Sequence, residues 1–239
     1  MRDAEFPPLP DGLPARCGTG SEQTCFWVSD DPLFRVGGPW RGLYARRAES
    51  GMYPLLLQYT PGDEDGPWRS AARRASGAVD VPDAAAVLRR LGRRGAYMTG
   101  VDELAAPGGG CGDPDECACV LADAYSERGA WFLGLARAAS GADALALSGW
   151  DGAANHTGTE DVTEVLRSWE GRFGARVVAL GFAEVWVSVA APPVTIEHAR
   201  AVAAEHEAFC PDGIWQGPGD LDEYAEGLVG RRVWSFWWD

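Results

Sequence analysis

The chain contains no lysine; all 21 of its basic residues are arginine. That excludes a Schiff-base lysine and the lysine of a phosphate-binding loop. Positive charge is scarce as well, since 35 Asp and Glu leave a formal charge of −14. A protein that coats DNA or RNA needs a basic field over the phosphates, so nucleic acid is not an expected partner. No apolar run approaches the roughly 18 residues of a membrane-spanning helix. The first residues, Met1-Arg2-Asp3-Ala4-Glu5, lead into Pro7, Pro8 and Pro10 and lack the apolar centre of a secretion signal. Neither a Gly-x-Ser-x-Gly elbow nor a Gly-x-Gly-x-x-Gly after a strand is present. These absences predict an acidic, soluble, cytoplasmic protein with no membrane partner.

What is present is ordinary material for a core. An apolar fraction of 46% over 239 residues suffices for a folded protein. Seven of the eleven tryptophans fall after residue 140, where 16 acids face only 6 arginines. The pattern divides the chain into an N-terminal α/β region (1–105), a Gly/Cys-rich loop or linker (106–125) and a C-terminal α+β domain (126–239).

In the first region, strands are expected at Thr24–Val28 and Tyr53–Tyr59, and helices at Trp40–Glu49 and Asp83–Arg94. The run from Ala106 to Cys119, with Gly108-Gly109-Gly110 and Asp113-Pro114-Asp115, reads as irregular. Beyond it, Trp131–Ala138 and Ala144–Trp150 read as a strand hairpin. Val162, Val165, Leu166, Trp169 and Phe173 make one face of a helix that stops at Gly174. Two valine-rich strands follow around Gly181. Thr195 and Asp220 cap two further helices, and Arg231–Trp238 forms a last strand, aromatic on both faces and placed inside the sheet. The expected class is α+β: an antiparallel or mixed sheet with packed helices, in the order strand, strand, helix, strand, strand, helix, helix, strand.

Three histidines, His156, His198 and His206, bound the acid–base chemistry. His206 and Cys210 lie four apart on one helical face. They could hold zinc with Asp212 or His156, although that face is apolar and suits a core histidine beside a small core thiol. Cys111, Cys117 and Cys119 lie within nine residues, a spacing unlike the usual zinc pairs; these three and Cys210 are the metal candidates. The segment from Trp150 to Thr157 joins a predicted strand to a helix. It offers an aromatic wall in Trp150, a donor–acceptor side chain in Asn155 and an acid–base candidate in His156. Arg172, Glu205 and His206 are polar groups on core-facing turns, where buried groups must find partners. Together they predict a polar pocket of Trp150, Asn155, His156, Arg172, Glu205 and His206, with His156, His206 and Glu205 as the catalytic candidates. Arg69, Arg73, Arg74, Arg89, Arg90, Arg93 and Arg94 form the one basic region, more in keeping with a solvated face than with an anionic partner.

Several C-terminal motifs resemble an uncharacterised bacterial family, domain of unknown function forty-two fifty-three, common in actinobacteria. They are the run from Leu166 through Trp169-Glu170-Gly171-Arg172-Phe173 to Arg176, Val202-Ala203-Ala204-Glu205-His206 with Phe209-Cys210-Pro211-Asp212, and Trp234-Ser235-Phe236-Trp237-Trp238-Asp239. The resemblance covers about residues 130–239, and Gly149-Trp150 to Asn155-His156 fits it too. Glu207 stands where the family pattern has an aromatic residue. The resemblance implies a compact α+β domain and carries no activity or cofactor with it.

Two readings of function follow. Acidic charge and many aromatics suit a binding or protein-interaction protein, of an immunity or regulatory type, that recognises a basic partner. The alternative is a hydrolase-type enzyme built on His156 and His206, with or without zinc. A structural metal in the cysteine loop is a third, non-catalytic arrangement. Cofactor and oligomeric state are unspecified by the sequence.

Overall fold

A computed structural model describes residues 9–16, 24–60, 83–93, 100–110 and 112–239. Among these residues the strands are β1 (Gly12–Arg16), β2 (Thr24–Ser29), β3 (Leu33–Phe34), β4 (Tyr53–Gln58), β5 (Ala130–Ala136), β6 (Ala175–Leu180), β7 (Glu184–Val189) and β8 (Val233–Trp237). The helices are α1 (Gly37–Ala45), α2 (Arg47–Ser50), α3 (Ala84–Gly92), α4 (Pro114–Ser126), α5 (Gly141–Leu147), α6 (Thr159–Phe173), α7 (Ile196–Phe209), α8 (Asp212–Trp215) and α9 (Leu221–Leu228). The α+β class is as expected, with strand pairs mostly antiparallel and one parallel. The chain folds into two compact units built from discontinuous stretches.

The first unit holds the described residues of Met1–Val79 with Ala118–Asp151 and Val177–Phe182. Its strands run in the order β1-β2-β5-β4-β6, with β3 paired to β5. Leu55, Leu56 and Leu57 of β4 and Phe132, Leu133 and Leu135 of β5 are all buried, because a strand covered on both faces carries a continuous apolar run. β4 and β6 make the parallel pair, Leu56 opposite Ala179, and the Tyr53 hydroxyl donates to the Val177 carbonyl at 3.0 Å.

Ala144–Trp150, expected as the second strand of a hairpin, is instead mostly α5. Ser140 caps it by accepting from the Asp143 N–H at 3.1 Å, and a short Ala/Leu run after such a cap favours helix. β5 pairs with β2, β3 and β4 instead.

The second unit holds the described residues of Asp80–Cys117 with Gly152–Arg176 and Ala183–Asp239. Its helices start where the capping residues predict. Asp83, Thr195 and Asp220 each accept a backbone N–H three residues on, and Gly174 ends α6 at φ 58°. The irregular reading of Ala106–Cys119 fails in its second half. Asp113 accepts from Asp115 N–H at 2.8 Å, Pro114 takes the first helical position, and α4 begins there. The glycines before it serve close approach: a Cβ on Gly108 would lie 1.7 Å from the Ala191 carbonyl oxygen.

β8 pairs antiparallel with β7, Trp186 opposite Ser235, and is the last strand in the order. It is an edge strand, not the interior one expected from its aromatics. Trp234, Phe236 and Trp238 are buried under α6 and α7, while Trp237 faces outward at 37% exposure. The helices cover the face of β8 that carries these aromatics.

Candidate functional site

The buried stripe of α7 carries two polar residues, Glu205 and His206, each with no exposed surface. Glu205 is held by four donors. Arg172 of α6 grips it in a fork, Nη1 to Oε1 at 2.8 Å and Nη2 to Oε2 at 2.7 Å. The Trp169 indole N–H reaches Oε2 at 2.7 Å and the Ala105 N–H reaches Oε1 at 2.6 Å. Such a fork matches guanidinium to carboxylate geometry, and the added donors offset the cost of burying charge. Residues 105–108 form a strap across these helices. Arg172 also donates to the Ala105 carbonyl at 2.9 Å, His198 Nε2 lies 2.8 Å from the Ala106 carbonyl, and the Gly108 N–H donates to the Arg172 carbonyl at 2.9 Å.

His206 sits among Trp169, Trp234, Phe236 and Tyr224, with ring centroids 4.5 to 5.9 Å away. Burial, with the Arg231 and Arg172 charges adding to it, lowers its pKa to about 3, so the ring is neutral. Nδ1 pairs with the Tyr224 hydroxyl at 3.0 Å; Nε2 has no partner among the described residues. Burial also pushes the Cys210 thiol up to about 12, and its Sγ donates to the Trp237 carbonyl at 2.9 Å. Glu207 is buried too. One oxygen accepts from the Trp215 indole at 3.0 Å, the other has no partner among the described residues, and burial raises the Glu207 pKa.

Of the expected pocket, Arg172, Glu205 and His206 come together around Trp169; Glu205 and His206 are fully buried and Arg172 is partly exposed. His156 is half-buried and donates from Nε2 to the Ala208 carbonyl at 3.2 Å, so it meets the far end of α7. Exposed Asn155 donates to the Asp239 carbonyl at 3.4 Å. Trp150 belongs to the first unit, where its indole N–H donates to the Gly181 carbonyl at 3.0 Å. Among the described residues no group of three or more His, Cys, Asp or Glu side chains could hold a metal ion. Cys117 and Cys119 lie two apart on α4 and point to different sides of it. Cys111 falls outside the described residues, as do Arg69, Arg73, Arg74 and Arg94. Arg90 is paired with Asp161 at 2.6 Å.

An accessible feature of the second unit lies beside this cluster. A groove of about 350 Å³ runs between β8 and α9, lined in part by Glu223, Tyr224, Arg231, Trp234, Ser235 and Trp237. Tyr224 joins the two regions, because its ring lines the groove while its hydroxyl meets His206. Burial raises the Tyr224 pKa, which keeps the phenol neutral. Trp234 also lines the groove, and its buried indole N–H has no partner among the described residues. The sequence reading missed Tyr224, Arg231, Ser235 and Trp237 as site residues. The signal was the alternation of β8, which turns Ser235 and Trp237 outward.

Residues 132–239 match the family described as Domain of unknown function (DUF4253). No curated protein and no solved structure gives a significant match to the chain. Among the described residues no helix is long and apolar enough to cross a membrane.

Proposed function

We propose that the second unit is a protein-interaction module and that its partner binds in the groove between β8 and α9. The observation that carries this reading is a contrast in access. The groove presents an exposed tryptophan, a carboxylate and a guanidinium around about 350 Å³ of open space, within the range of ligand-binding clefts. Aromatic and arginine side chains are the types that anchor partners. His206 and Glu205, by contrast, have no surface with which to meet a substrate. A sealed, neutral His206 and a Cys210 thiol pushed up to about 12 weigh against the hydrolase alternative.

The test is site-specific photo-crosslinking in the native host cell. A photoreactive side chain replaces Ser235 in the groove or, as a control, Val194, which is 62% exposed. The expected result is a light-dependent adduct of one defined mass from position 235 and none from position 194. Equal adducts at both positions, or none at either, would overturn the reading.

A further inference from the structure

The groove borders an unpaired strand edge. The register of β7 and β8, with Val189 N–H donating to the Arg232 carbonyl and Trp238 N–H to the Ala183 carbonyl, turns the backbone groups of Trp234 and Phe236 toward β7. Those of Val233, Ser235 and Trp237 therefore point away from it. Only the far end of that outer row is occupied. The Trp237 carbonyl accepts the Cys210 thiol, and Asp239 N–H donates to Asp212 at 3.1 Å. The N–H groups of Val233, Ser235 and Trp237 and the carbonyls of Val233 and Ser235 have no bonded partner among the described residues. Native sheets rarely leave such a row open without a charge, proline or cover to block it.

Charge selects among occupants. Glu223 of α9 lines the groove, and Asp212 of α8, Glu226 of α9, Asp220 at the cap of α9 and Asp239 just beyond β8 lie on the same or neighbouring segments. None of these five is ion-paired with a cation among the described residues; Asp222 is neutralised by Arg200 at 2.8 Å. Arg231 is the one cation lining the groove among those residues. The whole chain carries −14, which disfavours pairing with a second copy through the same acidic edge.

We infer that the groove accepts an extended, arginine- or lysine-rich peptide segment as an added strand on β8. This rests on the groove being the partner site proposed above, and it names the partner's chemistry. The peptide backbone pairs with Ser235 and the neighbouring free groups of the edge. Alternate basic side chains meet Glu223 and the adjoining acids, while the others lie against Trp237 and Tyr224.

The probe is a fluorescently labelled, end-capped peptide of about seven residues alternating arginine with valine, long enough to span β8 at about 3.3 Å per residue. Fluorescence anisotropy with the full chain is expected to show saturable binding that weakens with salt. N-methylation of the amides on one edge of the peptide is expected to weaken binding by about tenfold or more, as is exchange of its arginines for glutamate. Ser235→Pro removes an outward N–H at a position where an edge strand tolerates proline, and is expected to cost a similar factor. If that variant fails to fold, the N-methylated peptide on the unaltered protein decides the same point.

No binding of the arginine peptide, or equal binding of its N-methylated form, would overturn the inference. So would sedimentation showing that the protein dimerises and that Ser235→Pro abolishes the dimer. A crosslink from position 235 without peptide binding would overturn the basic strand and leave the interaction reading standing.

Discussion

The cluster around Glu205 and the groove beside β8 share Tyr224 and Trp234, yet they differ in what reaches them. The cluster holds the residue types that signal chemistry: a carboxylate, a guanidinium, an imidazole and a thiol. The carboxylate and guanidinium are committed to each other, the imidazole to Tyr224 and the thiol to a backbone carbonyl; all but the partly exposed Arg172 are buried. The groove holds fewer such groups but leaves backbone and aromatic surface open. Polar residues on a core-facing turn thus mark a place where burial must be compensated, and access decides whether they can act on anything.

The largest effect that could break this comparison lies at Glu205. Glu205→Ala, which leaves the mostly buried Arg172 without its anion, is expected to cost about 3–5 kcal/mol in urea unfolding. Arg172→Ala is expected to cost about as much, and the double variant much less than the sum of the two. Additive losses would show that the pair is not coupled.

A smaller effect comes from His206. Its folded pKa of about 3 lies below the ordinary 6.5, so between these values the unfolded chain binds a proton that the folded one does not. Stability should therefore fall as pH drops from 6.5 toward 3 and level off below. The slope approaches about 1.4 kcal/mol per pH unit, or about 2 kcal/mol at pH 5 relative to neutral pH. The raised pKa of Glu207 acts in the opposite sense, since its contribution is lost as pH rises. His206→Gln separates the two, and urea midpoints measured for that variant should lose most of the acid-side slope. An unchanged slope would mean that the histidine titrates in contact with solvent.

The smallest effect is expected at the groove. Glu223→Gln lies on exposed surface and should shift stability by less than about 0.5 kcal/mol. It should also weaken crosslinking from position 235. A loss of stability comparable to that of Glu205→Ala would make the groove part of the scaffold and remove the distinction.

Much of the second unit was legible because its helices announce their ends. Thr195, Asp220 and Gly174 do locally what caps and stops do anywhere, and the apolar spacing from Val162 to Phe173 is long enough to show a period. Helix α5 was not legible, because seven residues, five of them Ala or Leu, carry too little period to separate helix from strand. In α4 the Asp113-Pro114-Asp115 run reads as part of an irregular loop, although the same residues also start helices.

At the site, Arg172, Glu205 and His206 could be named from their polarity alone, and they do share one network. The groove could not be named, because it depends on β8 being an edge and on where α9 lies beside it. Both are tertiary facts that alternating residues such as Ser235 and Trp237 only hint at.

The most direct test of a closed cluster beside an open edge is hydrogen exchange of single amides along β8, read by NMR on the free protein. The account predicts alternation: Trp234 and Phe236 protected by β7, with Val233, Ser235 and Trp237 exchanging at least about a hundredfold faster, as unpaired edge amides do. Uniform protection along the strand would mean that the edge is already covered, and would contradict the account.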